Sequence, residues 1–230
     1  MDKLDMPLDA IVNADQKRGR GSSRGGSRGR RRNHPYKRPG QNTKESTRFL
    51  KVSGTSNVKS VAGGIAQISR QSEPPCLLAA GSAAINQAIK AITIARSYLE
   101  DDGFDLRVQM DFEDIARAKT TTRIAKAFSK PRGPKTHAND LYVTPKSDHF
   151  KVAGAIAARV REGKGSVGIY AKGADAVTIM VKSVAVSRKY LDEDNLDIQF
   201  VPTFIQIDSD VEGKIVNSTY LKLTLLYHQL

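Results

Sequence analysis

Arginine and lysine carry the most informative chemistry in this 230-residue chain, and they are clustered. Lys17 to Gly40, KRGRGSSRGGSRGRRRNHPYKRPG, strings Arg18, Arg20, Arg24, Arg28, Arg30, Arg31 and Arg32 among glycine and serine. A guanidinium stays charged, forks onto phosphate oxygens and stacks on bases, so spaced Arg-Gly pairs suit nucleic acid without sequence readout. The same residues also read as a solubilising tail, or as a nuclear-import signal at Arg30-Arg31-Arg32 and Lys37-Arg38. A second cluster, Ile115 to Lys135, holds Arg117, Lys119, Arg123, Lys126, Lys130, Arg132 and Lys135 and no acid.

These clusters account for the overall balance of 37 basic against 24 acidic side chains, a formal charge of +13. Residues 1–48 hold 13 basic and 5 acidic groups, residues 49–138 hold 13 and 8, and residues 139–230 hold 11 and 11. Such local excess points to a polyanionic partner. Other chemistries find little footing. His34, His137, His149 and His228 lie far apart with no metal-ligand spacing. Cys76 is the sole cysteine and follows Pro74-Pro75 into an apolar run, which favours an inert core thiol over a nucleophile. The acidic triplets Glu100–Asp102 and Asp192–Asp194 follow helical patterns and read as solvated turns. VAGGIA sits in a helical pattern, where small residues mean close packing, and no phosphate-binding Walker loop occurs. The expectation is a protein that is not an enzyme and needs no metal or cofactor. No run of 18 apolar residues and no secretory leader pattern are present, so no membrane association is expected.

The elements that position these residues fall into three regions. In residues 1–15, Leu4, Leu8, Ile11 and Val12 mark one helical face, Asp5 suits a cap, and Pro7 in the first turn loses no intrahelical bond. So short a helix needs a partner's groove to hold it, and a frayed terminus is the competing reading. Residues 16–47 have too few apolar groups to offset the entropy of ordering and are expected to be disordered. From residue 48 the sequence repeats itself. Ala80-Gly81-Ser82 through Phe112 aligns with Lys172-Gly173-Ala174 through Phe204 at an offset of 92, and VAGGIAQISR aligns with VAGAIAARVR at 91. Two domains follow, 48–130 and 139–230, joined by a linker at 131–138.

Each copy reads β-α-β-α-β-β. In the first, strands are expected at Phe49–Ser53, Leu77–Ala80, Phe104–Phe112 and Thr121–Phe128. Helical faces are traced by Val58, Val61, Ala62, Ile65 and Ile68, and by Ile85, Ala88, Ile89, Ile92, Ala95 and Leu99.

Two resemblances sharpen this reading. LDMPLDAIV followed by the Arg-Gly tract resembles the N-terminal element of Aly/REF-type mRNA export adaptors, which binds a DEAD-box export helicase. Asp5, Met6, Leu8, Asp9, Ile11 and Val12 occupy the matching positions, with Pro7 where serine is usual and valine in the second isoleucine position. No RNA-recognition domain follows. The repeats instead resemble the Alba-like fold, and within it the stage V sporulation protein S branch. That resemblance rests on AAGSAAINQAIKAITIARSYL, KVSGTSNVKSVAGGIA and DIQFVPTFIQI. It implies an α/β fold, nucleic-acid binding, and dimerisation through the second helix and following strand, so a tandem chain suits an internal pseudo-dimer; a homodimer is the other possibility.

In that fold the loop after the first strand lies near the turn into the second helix, where backbone N–H groups attract phosphate. Thr55-Ser56-Asn57, Lys59, Gly81-Ser82, Asn86 and Lys90 therefore form the expected phosphate cradle, and the resemblance makes Arg117, Lys119, Arg123, Lys126 and Lys130 the basic hairpin. Turn and cap chemistry could equally explain Gly81 and Asn86, and a solvated helix face could explain Lys90 and Arg96. In copy two, Asp175 beside the turn and the acidic hairpin Asp208–Ser218 make it the pairing partner, although Lys146, Lys151 and Lys172 remain available to phosphate. The leading expectation is an RNA-binding mRNA export adaptor, nuclear and shuttling to the cytoplasm, linking RNA (or DNA) to the helicase. The alternatives are an Alba-like chromatin or ribonucleoprotein architectural factor without helicase recruitment, and an interaction module whose tail directs import.

Overall fold

The computed structural model describes residues 48–114, 116–128, 140–163, 166–211 and 214–230. The helicase-motif residues Asp5, Met6, Leu8, Asp9, Ile11 and Val12, the tail arginines Arg18 to Arg32, and Lys130 lie outside them. The first repeat runs β1 (Phe49–Val52), α1 (Val58–Gln71), β2 (Cys76–Ala80), α2 (Ser82–Tyr98), β3 (Asp105–Asp114) and β4 (Lys119–Ala127). The second runs β5 (Leu141–Val143), α3 (His149–Arg161), β6 (Val167–Ala171), α4 (Ala174–Leu191), β7 (Leu196–Val211) and β8 (Lys214–Gln229). Both have the expected β-α-β-α-β-β order, with boundaries displaced by one or two residues in the first.

Local chemistry sets the helix starts. The Asn57 side chain accepts from the Ser60 N–H at 3.1 Å and caps α1, while Asp148 does the same for α3. Gly81 and Gly173 precede α2 and α4 at φ of 86° and 89°, a conformation costly for any residue with a Cβ. Each repeat then buries one face of its helices on one face of its sheet. Leu106, Val108 and Met110 on β3 join Ile198 and Phe200 on β7 in a single core with Ile85, Ile89, Met180 and Val184. Alternate residues (Arg107, Gln109 and Gln199) point to the opposite face, on which no described helix packs.

The eight strands form one sheet in the order β1-β2-β4-β3-β7-β8-β6-β5, so the two repeats are related by a pseudo-twofold axis at its centre. There Val108 opposes Phe200, two residues 92 positions apart, and α2 packs on α4. The repeats thus form an internal pseudo-dimer through the second helix and the following strand, as the resemblance implies.

Beyond Val108 and Phe200 the central strands stop pairing, and two equivalent arginines serve the freed groups. Arg96 grips both oxygens of Asp105 at 2.6 and 2.8 Å, and reaches across to the Pro202 carbonyl and to Thr203 Oγ1 at 3.1 Å. Arg188 grips Asp197 at 2.5 and 3.1 Å, and reaches across to Asp111 and the Met110 carbonyl. Arg96 is therefore not part of a solvated helix face, because its guanidinium closes the seam between repeats with only 18% of its side chain exposed. A second matched pair works within each repeat: Arg70 ties Asp102 and the Tyr98 carbonyl, and Arg161 ties Asp194 and the Tyr190 carbonyl.

Candidate nucleic-acid interface

The Ser53–Asn57 loop meets the start of α2, as the cradle requires. Gln87 donates to the Ser56 carbonyl at 3.2 Å, and Gly54 lies so close that a Cβ there would sit 2.8 Å from Ala83 Cβ. Ser53 and Ser56 lock the loop through N–H···Oγ and N–H···O bonds of 2.9 and 3.1 Å. In the second repeat Thr144 and Ser147 repeat this lock. The charge differs, however. A neutral Asn57 caps α1, whereas backbone hydrogen bonds from Phe150 and Lys151 hold the Asp148 carboxyl below the usual range, so α3 begins at a fixed anion.

Lys59, Asn86 and Lys90 open onto a groove of about 390 Å³ on the helix side of the sheet. Its other wall comes from the second repeat, with Lys172, Gly173, Phe204, Thr219 and Tyr220, and no described acid lines it. Lys172 donates to Ser218 Oγ at 2.9 Å and lies over the Tyr220 ring, 6.0 Å from its centroid. Phe204 keeps 39% of its surface exposed at this edge. Lys59, Asn86 and Lys90 of copy one thus share their groove with residues of copy two. Three ammonium groups and two aromatic rings can hold phosphates and stack bases side by side. Gly81 itself is not on the groove wall; its positive φ serves the turn into α2.

The basic hairpin is less free than its sequence implies. Residues 115–135 contain no acid, but the facing strand β3 supplies three. Lys119 pairs with Glu113 at 2.5 Å, Arg117 with Asp114 at 3.6 Å, and Arg123 with Asp111. Hydrogen bonds from Lys119 and Thr121 hold the Glu113 carboxyl below its ordinary range. Lys126 lies over the Phe104 ring at 5.3 Å. Arg123, which opposes Gln109, also turns toward the helix-free face, away from Lys59 and Lys90. The structure therefore does not gather the hairpin bases into the cradle.

Phe204 and Tyr220 are the groove residues that sequence reasoning missed. Phe204 continues the core-facing alternation of β7, and nothing in the sequence marks where that strand leaves the core. Cys76 is buried, and burial pushes its thiol up, consistent with an unreactive residue. Among the described residues no group of three or more His, Cys, Asp or Glu could hold a metal, and no helix is long and apolar enough to cross a membrane. The model of the stage V sporulation protein S family matches residues 48–128 and again residues 139–226.

Proposed function

The chain belongs to the stage V sporulation protein S family, with two tandem copies of the domain, and from that premise we propose that it is an RNA-binding mRNA export adaptor. The observation that carries the binding half is the two-repeat groove, where Lys59, Lys90 and Lys172 surround Asn86, Phe204 and Tyr220 without a described carboxylate. Ammonium groups neutralise phosphates with little regard for sequence, and the rings accept any base face. The Arg-Gly tract adds a second, accessory cationic element. Asp5, Met6, Leu8, Asp9, Ile11 and Val12 recruit the DEAD-box helicase, which links the bound RNA to export from the nucleus. In this reading the protein binds and hands over, catalysing nothing.

Fluorescence anisotropy with a labelled single-stranded RNA tests the binding half. Replacing Lys59, Lys90 and Lys172 by glutamine should weaken binding and flatten the salt dependence by a log–log slope of about 2, as expected for three lost phosphate contacts on a single strand. Unchanged affinity and slope would remove the groove from the site. The same titration with single-stranded DNA decides which nucleic acid is preferred. Deleting residues 2–15 should abolish helicase co-purification from nuclear extract while leaving RNA affinity intact. Survival of the pull-down would sink the export half and leave the architectural reading, which needs only the groove.

A further inference from the structure

On the face of the sheet opposite the groove, the first repeat carries a half-open basin of about 700 Å³. Arg48, Arg107, Arg123 and Lys126 line it, with Gln109 and Gln199 at its floor and Glu73 as the one lining carboxylate. The strand register explains the space. Arg107 sits opposite Ala125, and Gln109 opposite Arg123, so a methyl group faces the longest side chain on β3. The Cys76 N–H donates to the Arg48 carbonyl at 2.8 Å and pins that residue at the rim. Arg123 is steadied from one side by Asp111, while Lys126 borders the basin at its edge and lies over the Phe104 ring on the helix side. Arg107 differs, because its Nε is buried and has no hydrogen-bond partner. A desolvated guanidinium donor without an acceptor is costly, and an anion seated in the basin would relieve that cost.

The second repeat shows that the fold does not require such a basin. At the equivalent positions Gln199 replaces Arg107, Leu226 replaces Ala125 and Tyr170 replaces Leu78, while Asp140 stands where the first repeat has Phe49. There the space is closed. Tyr170 donates to Asp140 Oδ2 at 2.8 Å, stacks on Tyr142 at 4.8 Å, and lies beneath Lys222, whose side chain is 2% exposed.

We propose that the helix-free basin of the first repeat is a second binding site, which takes the phosphate of a nucleotide. Planar guanidiniums at Arg107 and Arg123 match phosphate oxygens in the forked geometry that lysine cannot offer, and Gln199 supplies a neutral amide beside them, the Gln109 amide being engaged by Asp197 at 2.6 Å. The volume admits one nucleotide. The phosphate has two sources, a free mononucleotide or one unit of a bound strand.

Isothermal titration of the full chain with AMP, and separately with a twelve-nucleotide oligouridylate, distinguishes them. The design uses two variants, Arg107→Gln/Arg123→Gln in the basin and Lys59→Gln/Lys90→Gln in the groove. AMP binding that falls at least tenfold in the basin variant, and stays unchanged in the groove variant, supports a free-nucleotide site. Oligouridylate binding that weakens at least tenfold in the basin variant, with no AMP binding, supports a strand-binding site. If neither probe responds to the basin variant, the basin proposal is overturned whatever the groove variant does. The groove reading fails separately, if the groove variant leaves oligouridylate affinity unchanged. Circular dichroism melts of both variants exclude loss by unfolding.

Discussion

The two repeats agree where they touch each other and differ where they meet other molecules. Arg96 and Arg188, Asp105 and Asp197, and Gly81 and Gly173 are identical residues in matching roles at the seam or at a helix start. Outward-facing positions have changed sign or shape: Asn57 against Asp148, Lys59 against Phe150, Arg107 against Gln199. Both arginines reach across the axis, Arg96 to the Pro202 carbonyl and Arg188 to the Met110 carbonyl. No such reciprocity binds the surfaces. The second repeat has spent its helix-free face on a closed polar cluster, whereas the first keeps cations exposed there.

The sharpest break in this comparison is on that helix-free face. Asp140→Ala would leave Lys222 charged, 2% exposed and without its carboxylate partner, and would also free the Tyr170 hydroxyl and the Gly168 N–H. Removing one partner of a buried pair costs about 3–5 kcal/mol. Denaturant unfolding should show a loss of that size. Asp140→Ala combined with Lys222→Met should recover part of it, since the stranded charge is then gone. At the basin the sign reverses: Arg107→Met removes an unsatisfied donor and should leave stability unchanged or raise it by up to about 1 kcal/mol. Equal losses at Asp140 and Arg107 would mean that the two faces are built alike after all.

The seam offers a finer contrast. Without Arg188, Asp197 keeps donors from Gln109 Nε2 at 2.6 Å and the Ile198 N–H at 2.7 Å, and Asp111 keeps Arg123. Without Arg96, the Asp105 carboxylate, 5% exposed, keeps the Leu106 N–H at 2.8 Å among the described contacts. Gln109 has no counterpart on that side, because its equivalent is Val201. Arg96→Ala should therefore cost about 2–4 kcal/mol and Arg188→Ala about 1–2 kcal/mol, both read by chemical denaturation. The reverse order would show that the cross-axis carbonyl contacts, not the carboxylates, decide the seam.

Much of this organisation is legible in the sequence. The 92-residue offset and the alternation of Leu106, Val108 and Met110 with polar residues gave the element order, because periodicity is a local property of the chain. What sequence could not show depends on register across strands. Arg96 looks solvated on a helical wheel because its cross-axis acceptors, the Pro202 carbonyl and Thr203 Oγ1, lie more than a hundred residues away. The stretch from Ile115 to Lys135 looks purely cationic because its acids, Asp111, Glu113 and Asp114, precede it and fold back opposite it. Phe204 and Tyr220 reach Lys59 only through the pairing of the repeats.

Acid provides the gentlest test of the asymmetry. Burial works against an ionised Asp197, but hydrogen bonds from Arg188 and the Ile198 N–H, with the charges of Arg188 and His228, outweigh it and hold the carboxyl below its ordinary value. A carboxyl whose folded pKa is depressed contributes stability that is complete above its unfolded value of about 3.9, and that contribution is lost as pH falls through the lower folded value. The seam should thus weaken below about pH 4, as protonation of Asp197 breaks its pair with Arg188. Asp197→Asn cannot titrate at this position, so its stability should fall less steeply over that window than that of the wild type. Thermal melts from pH 6 to pH 2.5 measure the two slopes. Parallel curves would mean that Asp197 is solvated at the seam, and that Gln109, Arg188 and the Ile198 N–H do not hold its charged form.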